Sequence, residues 1–327
     1  MKKTIWSFAA VLVLLLATVI WSVLRGSLQV TLPELITGLW TGTNENVAII
    51  RDLRLPRVII ALFCGAALAV SGVLLQSVMR SPLADAGVIG ISSGAGFISL
   101  TMVTIFPAMF FWMPLFAFLG GAAACLLVFS LSWKSGLQPL RLILVGIAVN
   151  ATFTGLGQSF NYRGSYAITM VNMATTSIFN LKTWQDVQII VLYGTIGLVL
   201  ALLISPWCNV LVLQDKTARN LGMNVSRVRI LVSAVAVLLA ATATAIGGLI
   251  AFVGLLVPHI ARQLVGSDHK VLIPFTALAG ALLILLADTL GRTVLAPVEI
   301  PASIIMTVIG GPFLIFLLRK GEMNHGD

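Results

Sequence analysis

Charge is scarce in this chain: of 327 residues only 20 are Lys or Arg and 11 are Asp or Glu, about 9% against a usual share of roughly 25% in soluble domains. That scarcity, beside a hydrophobic fraction of 59%, excludes a solvated multi-domain enzyme, a disordered chain and a collagen-like fibre. Cysteine is equally sparse. Cys64, Cys125 and Cys208 each lie inside or at the end of an apolar run, where small buried hydrophobes are expected rather than a disulfide, metal or redox site. No G-x-x-x-x-G-K-[ST] is present, so the chain has no phosphate-cradling loop of its own, and neither H-E-x-x-H nor G-x-S-x-G supports a protease or esterase. The glycines of Gly90, Gly94 and Gly96 open an apolar helix with no lysine behind them, which suits close helix packing better than phosphate binding.

Ionisable groups within the apolar runs are also few. Ion-coupled transporters need carboxylates or histidines at mid-membrane to load and release the coupling ion. Here Asp288 falls near the outer end of one apolar segment, and His259, next to Pro258, near the inner end of another, where a packed, hydrogen-bonded role is expected. Gln76, Asn150 and Gln158 are uncharged and suit either of two roles, joining helices or lining a pathway.

What the chain does have is apolar length. A bilayer core takes about 20 residues of helix, and ten segments of that order follow one another: Ile5 to Leu24, Val58 to Met79, Val88 to Phe106, Met113 to Trp133, Leu142 to Phe160, Val187 to Trp207, Ile230 to Ile246, Gly247 to Val265, Val271 to Leu290 and Ile300 to Leu318. The eighth is interrupted by Pro258 and Arg262 and is expected to be short or broken. The first follows Lys2 and Lys3 but runs 20 residues without a cleavage pattern, so it is expected to remain as a membrane helix. The sequence therefore predicts an all-α, polytopic membrane protein forming a single transmembrane domain over residues 1 to 327.

An even number of crossings puts both termini on one side, and 13 of the 20 basic residues fall at that side's loops, which predicts cytoplasmic termini. Arg25, Arg51, Arg54, Arg57, Arg163, Lys182 and Arg292 are left outside. The inner segment from Cys208 to Arg229 is long enough for two short helices punctuated by Asn220, Gly222 and Asn224, and is the one inner surface large enough to dock a partner. A bundle with no nucleotide site and no carboxylate relay, yet with such a loop, points to a translocation pathway driven by a separate motor.

Several runs carry a more specific signal. LRLPR (Leu53 to Arg57), SGVLLQ (Ser71 to Gln76), SPLADAGVIGISSGAG (Ser81 to Gly96), ARNLGM (Ala218 to Met223), GLIAFVGLLVPHIAR (Gly248 to Arg262) and LADTLGR (Leu286 to Arg292) occur in one order and spacing over nearly the whole chain. The chain resembles the FecCD-type permease subunits of ABC importers for iron-siderophore complexes, haem and cobalamin. That resemblance implies a type II importer fold like that of the cobalamin permease, with about ten transmembrane helices in the bacterial cytoplasmic membrane. It implies dimerisation with a second copy or a paralogue, two ATP-binding-cassette ATPase subunits and an extracytoplasmic substrate-binding protein. No cofactor and no catalytic chemistry belong to the permease itself, since ATP is bound by the partner.

By the same resemblance, Arg54, Arg57 and Arg292 receive acidic residues of the binding protein, a task suited to the planar guanidinium fork. Ala218, Arg219, Asn220, Leu221, Gly222 and Met223 form the segment that sits in a cleft of the ATPase. The inner gate maps to Ser81 and Leu83 with Pro139 and Leu140. At the latter pair the cobalamin permease pattern has small polar residues, and at Ser81 asparagine is usual. An outer gate helix is expected around Met170 to Phe179. The expected cargo is an iron(III)-siderophore, with haem or cobalamin as the alternative.

Overall fold

The computed structural model describes residues 2–24, 45–132, 139–159, 179, 182–295 and 298–323, and among these there is no strand. The helices are α1 (Lys2–Leu24), α2 (Glu45–Ile49), which leads through one wide π turn (Ile50–Arg54) into α3 (Leu55–Met79), then α4 (Ile91–Ile105) and α5 (Met113–Ser132). They continue as α6 (Pro139–Gln158), α7 (Trp184–Leu203), α8 (Ser205–Leu211), α9 (Asp215–Asn220), α10 (Val225–Gly247), α11 (Val253–Val265), α12 (His269–Thr293) and α13 (Ala302–Met323). The apolar stretches read from the sequence overlap these helices, though Val187 to Trp207 runs from α7 into α8 and Gly247 to Val265 begins outside α11. Among the described residues six spans are long and apolar enough to cross a bilayer: Lys2–Leu24, Val47–Met79, Ala108–Ser132, Trp184–Leu203, Val225–Gly247 and His269–Thr293. Shorter apolar helices cover Ile91–Ile105, Val253–Val265 and Ala302–Ile315.

The eighth apolar segment is short, as expected, and the backbone shows why. Helix α10 stops at Gly247, Gly248 takes φ +76°, and the chain runs non-helically to Phe252 at φ +69° before α11 starts. Only 13 residues of helix remain, with Pro258 among them.

Helix α3 is the hub. It is buried for most of its length and packs against α7, α10, α11 and α12, while α4 and α5 pack on each other and on α10, and α6 packs on α4 and α5. Close approach to the hub depends on glycine. A Cβ on Gly65 would stand 2.2 Å from the Gly280 carbonyl oxygen of α12, and one on Gly72 2.0 Å from that of Gly254 on α11. Such contacts hold helices together where the surrounding lipid is as apolar as the side chains, because dispersion and backbone proximity replace the hydrophobic effect. Gly94 is used in the same way, against Gly120 of α5, in accord with the packing role read from the sequence. The three cysteines are buried.

Candidate functional site

Polar chemistry gathers at the two ends of the bundle. One end holds three hydrogen-bonded groups, Lys3 with the Gln263 carbonyl, Arg80 and Arg229 with Asp215, and Asn209 with Asp268. It can be called the Asp215 end. The other holds Arg54, Arg57, Asp288, Arg292 and Glu299, and is the Asp288 end.

At the Asp215 end, α3 finishes on Arg80, whose φ of +49° turns the chain sharply out of the helix. Its Nε donates to the Leu211 carbonyl at 2.8 Å and its Nη2 to Asp215 Oδ1. Arg229 on α10 donates to the same carboxylate, Nη2 to Oδ1 at 2.8 Å and Nη1 to Oδ2 at 3.3 Å. One carboxylate thus joins α3, the start of α9 and the start of α10. Partial burial acts to raise its pKa, but the hydrogen bonds and charges of Arg80 and Arg229 outweigh that and hold it below the usual carboxylate value. A second joint lies alongside: Asn209 Nδ2 donates to Asp268 Oδ1 at 2.7 Å, and Asn209 Oδ1 accepts from the His269 N–H at 2.9 Å. The Asn209 and Lys270 N–H groups keep the Asp268 carboxyl low.

The six-residue helix α9 closes on Gly222. The Gly222 N–H donates to the Arg219 carbonyl at 2.9 Å and the Met223 N–H to Ala218 at 3.2 Å, with Gly222 at φ +82°. Asn224 then caps α10 by accepting from the Arg227 N–H at 3.1 Å. Ala218 is fully buried beneath this turn, Met223 is half-buried, and Leu221 stands out at its apex with 65% of its surface exposed. Arg219 and Asn220 are exposed beside it. The result is an apolar knob on a short, braced helix pair.

At the Asp288 end, the basic residues expected to face outward are engaged within the chain. Arg57 grips Asp288, with Nε at 3.1 and 2.9 Å from its two oxygens and Nη2 at 2.8 Å, and its Nη1 donates to Glu299 at 3.0 Å. Arg292 lies 3.8 Å from Asp288 and donates through Nη2 to the Ser22 carbonyl and hydroxyl. Arg54 donates to the Val23 carbonyl at 2.9 Å. The side chains of Arg57 and Arg292 are partly buried, and Glu299 is the exposed member of the network.

The remaining expected residues scatter. Ser81 is buried, its hydroxyl accepting from the Leu83 N–H at 3.4 Å in the loop between α3 and α4, and Leu83 is half-buried. Two residues on, Asp85 is buried and accepts from the Gly87 N–H at 3.1 Å, fixing the shape of that loop. The sequence reading passed over it. Pro139 and Leu140 begin α6. Gln76 is buried as a joint: its amide N–H donates to the Gly254 carbonyl at 3.0 Å and its oxygen accepts from Arg262 Nη1. Asn150 on α6 is half-buried beside Gly90, and Gln158 is exposed near the far end of that helix. His259 lies 3.0 Å from the Gln263 amide and edge-on to Phe313, the packed role expected of it. Of the stretch Met170 to Phe179, all but Phe179 lies outside the described residues, and Phe179 is buried in the core.

The comparisons with known proteins agree on one kind of molecule. A model of the FecCD transport family matches residues 14–320. The "Probable heme-iron transport system permease protein IsdF" of Staphylococcus aureus (strain MSSA476) is 41% identical over 318 residues, covering 97% of each chain. Its counterpart in strain bovine RF122 / ET3-1 is 40% identical over the same coverage. A solved structure described as an inward-facing conformation of a metal-chelate type ABC transporter superposes with a TM-score of 0.81 at 31% identity, covering 96% of this chain and 98% of that one.

Proposed function

From the premise that the chain belongs to the FecCD transport family and is a multi-pass membrane permease of the ABC importer class, we propose that it carries an intact iron chelate across the cytoplasmic membrane. Haem is the first candidate, because the relatives at 40–41% identity are named for haem-iron transport. A ferric siderophore is the second. Recognition of the chelate falls to a separate binding protein in this reading, as in ABC importers generally.

The observation that carries the reading is the Leu221 knob, braced by the double arginine clamp on Asp215. A transporter with no nucleotide site needs a firm point at which an external motor can push, and an exposed apolar residue on a short helix tied to both α3 and α10 supplies it. We therefore assign the Asp215 end to the cytoplasm, with the Ala218 to Met223 turn seated in an ATPase subunit, and two such ATPases serving a permease dimer. Ser81, Leu83, Pro139 and Leu140, near the same end, would close the pathway between the two copies. The Asp288 end faces the binding protein, with Arg54 and Glu299 at its rim and Arg57 and Arg292 holding that rim in shape.

The test is uptake into vesicles. Vesicles containing this chain alone should accumulate neither haem nor ferric siderophore under an imposed proton or sodium gradient, and adding the ATPase, the binding protein and internal ATP should restore uptake of one of them. Gradient-driven accumulation by the lone permease, abolished by Asp288→Asn, would replace this reading with a secondary transporter.

A further inference from the structure

The loop between α3 and α4 contains a carboxylate, Asp85, that is only 4% exposed. Its Oδ2 accepts from the Gly87 N–H at 3.1 Å, and the N–H groups of Ala86, Val88 and Gly254 also act on it. Gly254 belongs to another element. It is the second residue of α11, where backbone N–H groups have no partner within the helix, and a Cβ there would collide with Asp85 Oδ1. The carboxylate therefore joins the middle of the loop to the start of α11. At its entry the loop is held by Arg80, on the Leu211 carbonyl and Asp215. At its exit it lies on α6, where a Cβ on Gly146 would stand 2.8 Å from the Val88 carbonyl oxygen and one on Gly90 3.0 Å from the Asn150 nitrogen.

What this carboxylate lacks is a cation: among the described residues it forms no ion pair, and its contacts are backbone N–H groups. The titratable groups of the surrounding helices are engaged elsewhere. Cys64 of α3 faces Gly247, Arg262 of α11 donates to Gln76, His259 lies on Gln263 and Phe313, and Arg141 of α6 donates to the Leu131 carbonyl. Helix α4 has none. Burial accordingly outweighs the backbone donors and pushes the Asp85 carboxyl up to about 6, whereas the same group in water titrates at about 3.9. The loop seated on α11 thus binds the proton more tightly than the loop lifted into water. Ionisation favours the lifted state.

We propose that Asp85 is an ionisable latch on this loop: protonated, it seats the loop against α11, and ionised, its unpaired charge drives the loop toward water. The inference stands on the junction itself, a buried carboxylate shared between a loop and a helix start with no cation beside it. Ser81 and Leu83 belong to the same loop. Under the proposed function, on which this last step rests, the latch sets how readily those gate residues move, and Asp85 is a positioning residue for the gate.

Hydrogen–deuterium exchange of the full chain in detergent, corrected for the intrinsic pH dependence of amide exchange, tests the latch with neither cargo nor ATPase present. Between about pH 5 and about pH 7.5 the lifted population should rise about tenfold. The Gly87, Ile89 and Gly90 amides, which bond within the loop, should lose protection by that factor in the wild type. Asp85→Asn, neutral throughout, should show one level of protection at both pH values. His259→Gln, which removes the group on α11 that ordinarily titrates at about 6.5, should keep the step. Wild-type protection that is equal at the two pH values, or greater at the higher one, would overturn the proposal even if Asp85→Asn fails to fold. So would a step that persists in Asp85→Asn or vanishes in His259→Gln. Vesicles that fail to take up chelate while the step is present would strike the transport reading and leave the latch.

Discussion

Arg57 and Asp288 meet side by side across 231 residues of sequence, guanidinium edge to carboxylate, with three contacts of 2.8 to 3.1 Å. The pair fastens the start of α3 to the end of α12, and both side chains are nearly removed from solvent. A carboxylate held in this way has a structural task and is a poor candidate for loading and releasing a coupling ion.

Asp288→Asn should accordingly weaken the fold. Breaking one side of a buried pair typically costs about 3–5 kcal/mol, less here because Arg57 keeps Glu299 and other partners. A lower thermal transition in detergent, with ATP-driven transport per folded molecule retained, is the expected outcome. An unaltered transition together with lost transport would give Asp288 a direct part in translocation.

The turn at Leu221 and Gly222 should fail differently. Gly222→Pro demands φ near −65° where the backbone has +82°, and Leu221→Glu puts a charge on the exposed knob. Both permeases should reach the membrane in normal amounts yet recover at least tenfold less ATPase on co-purification. Normal recovery with normal uptake would remove the coupling assignment.

The clamp on Asp215 makes a pH prediction. Because the folded carboxyl is held below its ordinary value of about 3.9, its contribution is fully present above that pH and is lost as pH falls through the lowered value. The difference in thermal transition between wild type and Asp215→Asn should therefore be constant above about pH 5 and shrink below about pH 4. A difference that grew on acidification would contradict the double arginine arrangement.

Docking at the opposite end should show the weak, salt-sensitive signature of rim charges. Arg54→Glu should lower affinity for the binding protein by about 2- to 5-fold, as expected of an exposed pair worth up to about 1 kcal/mol, and raising salt should do the same to the wild type. Arg57→Glu should instead lower the thermal transition first, since it places a third carboxylate beside Asp288 and Glu299. Docking indifferent to both Arg54→Glu and salt would mean an apolar interface.

The helices were legible because a bilayer imposes a length that the apolar runs of this sequence meet one after another, and Pro258 and Arg262 announced one short or broken helix, although the break itself falls earlier, between Gly248 and Phe252. The braced turn was legible too: Asn220, Gly222 and Asn224 are residues whose backbone or capping preferences speak locally. The partners of Arg57, Gln76 and Arg80 were not. Each depends on which distant helix lies alongside, and nothing near Arg57 in sequence announces Asp288. For that reason the reading of Arg57 and Arg292 as docking residues carried no sign of their partners Asp288 and Ser22, and the reading of Gln76 as joint or pathway carried none of its bonds to Gly254 and Arg262.

Helix α10 has a consequence of its own. It is the shared wall between the hub group around α3 and the group of α4, α5 and α6, and its first turns carry the arginine that holds Asp215. A displacement delivered at α9 therefore enters a crossbar from which both groups hang. Under the proposed coupling, the two halves of the subunit would receive it at once, and the stroke would need no relay through the lipid-facing periphery.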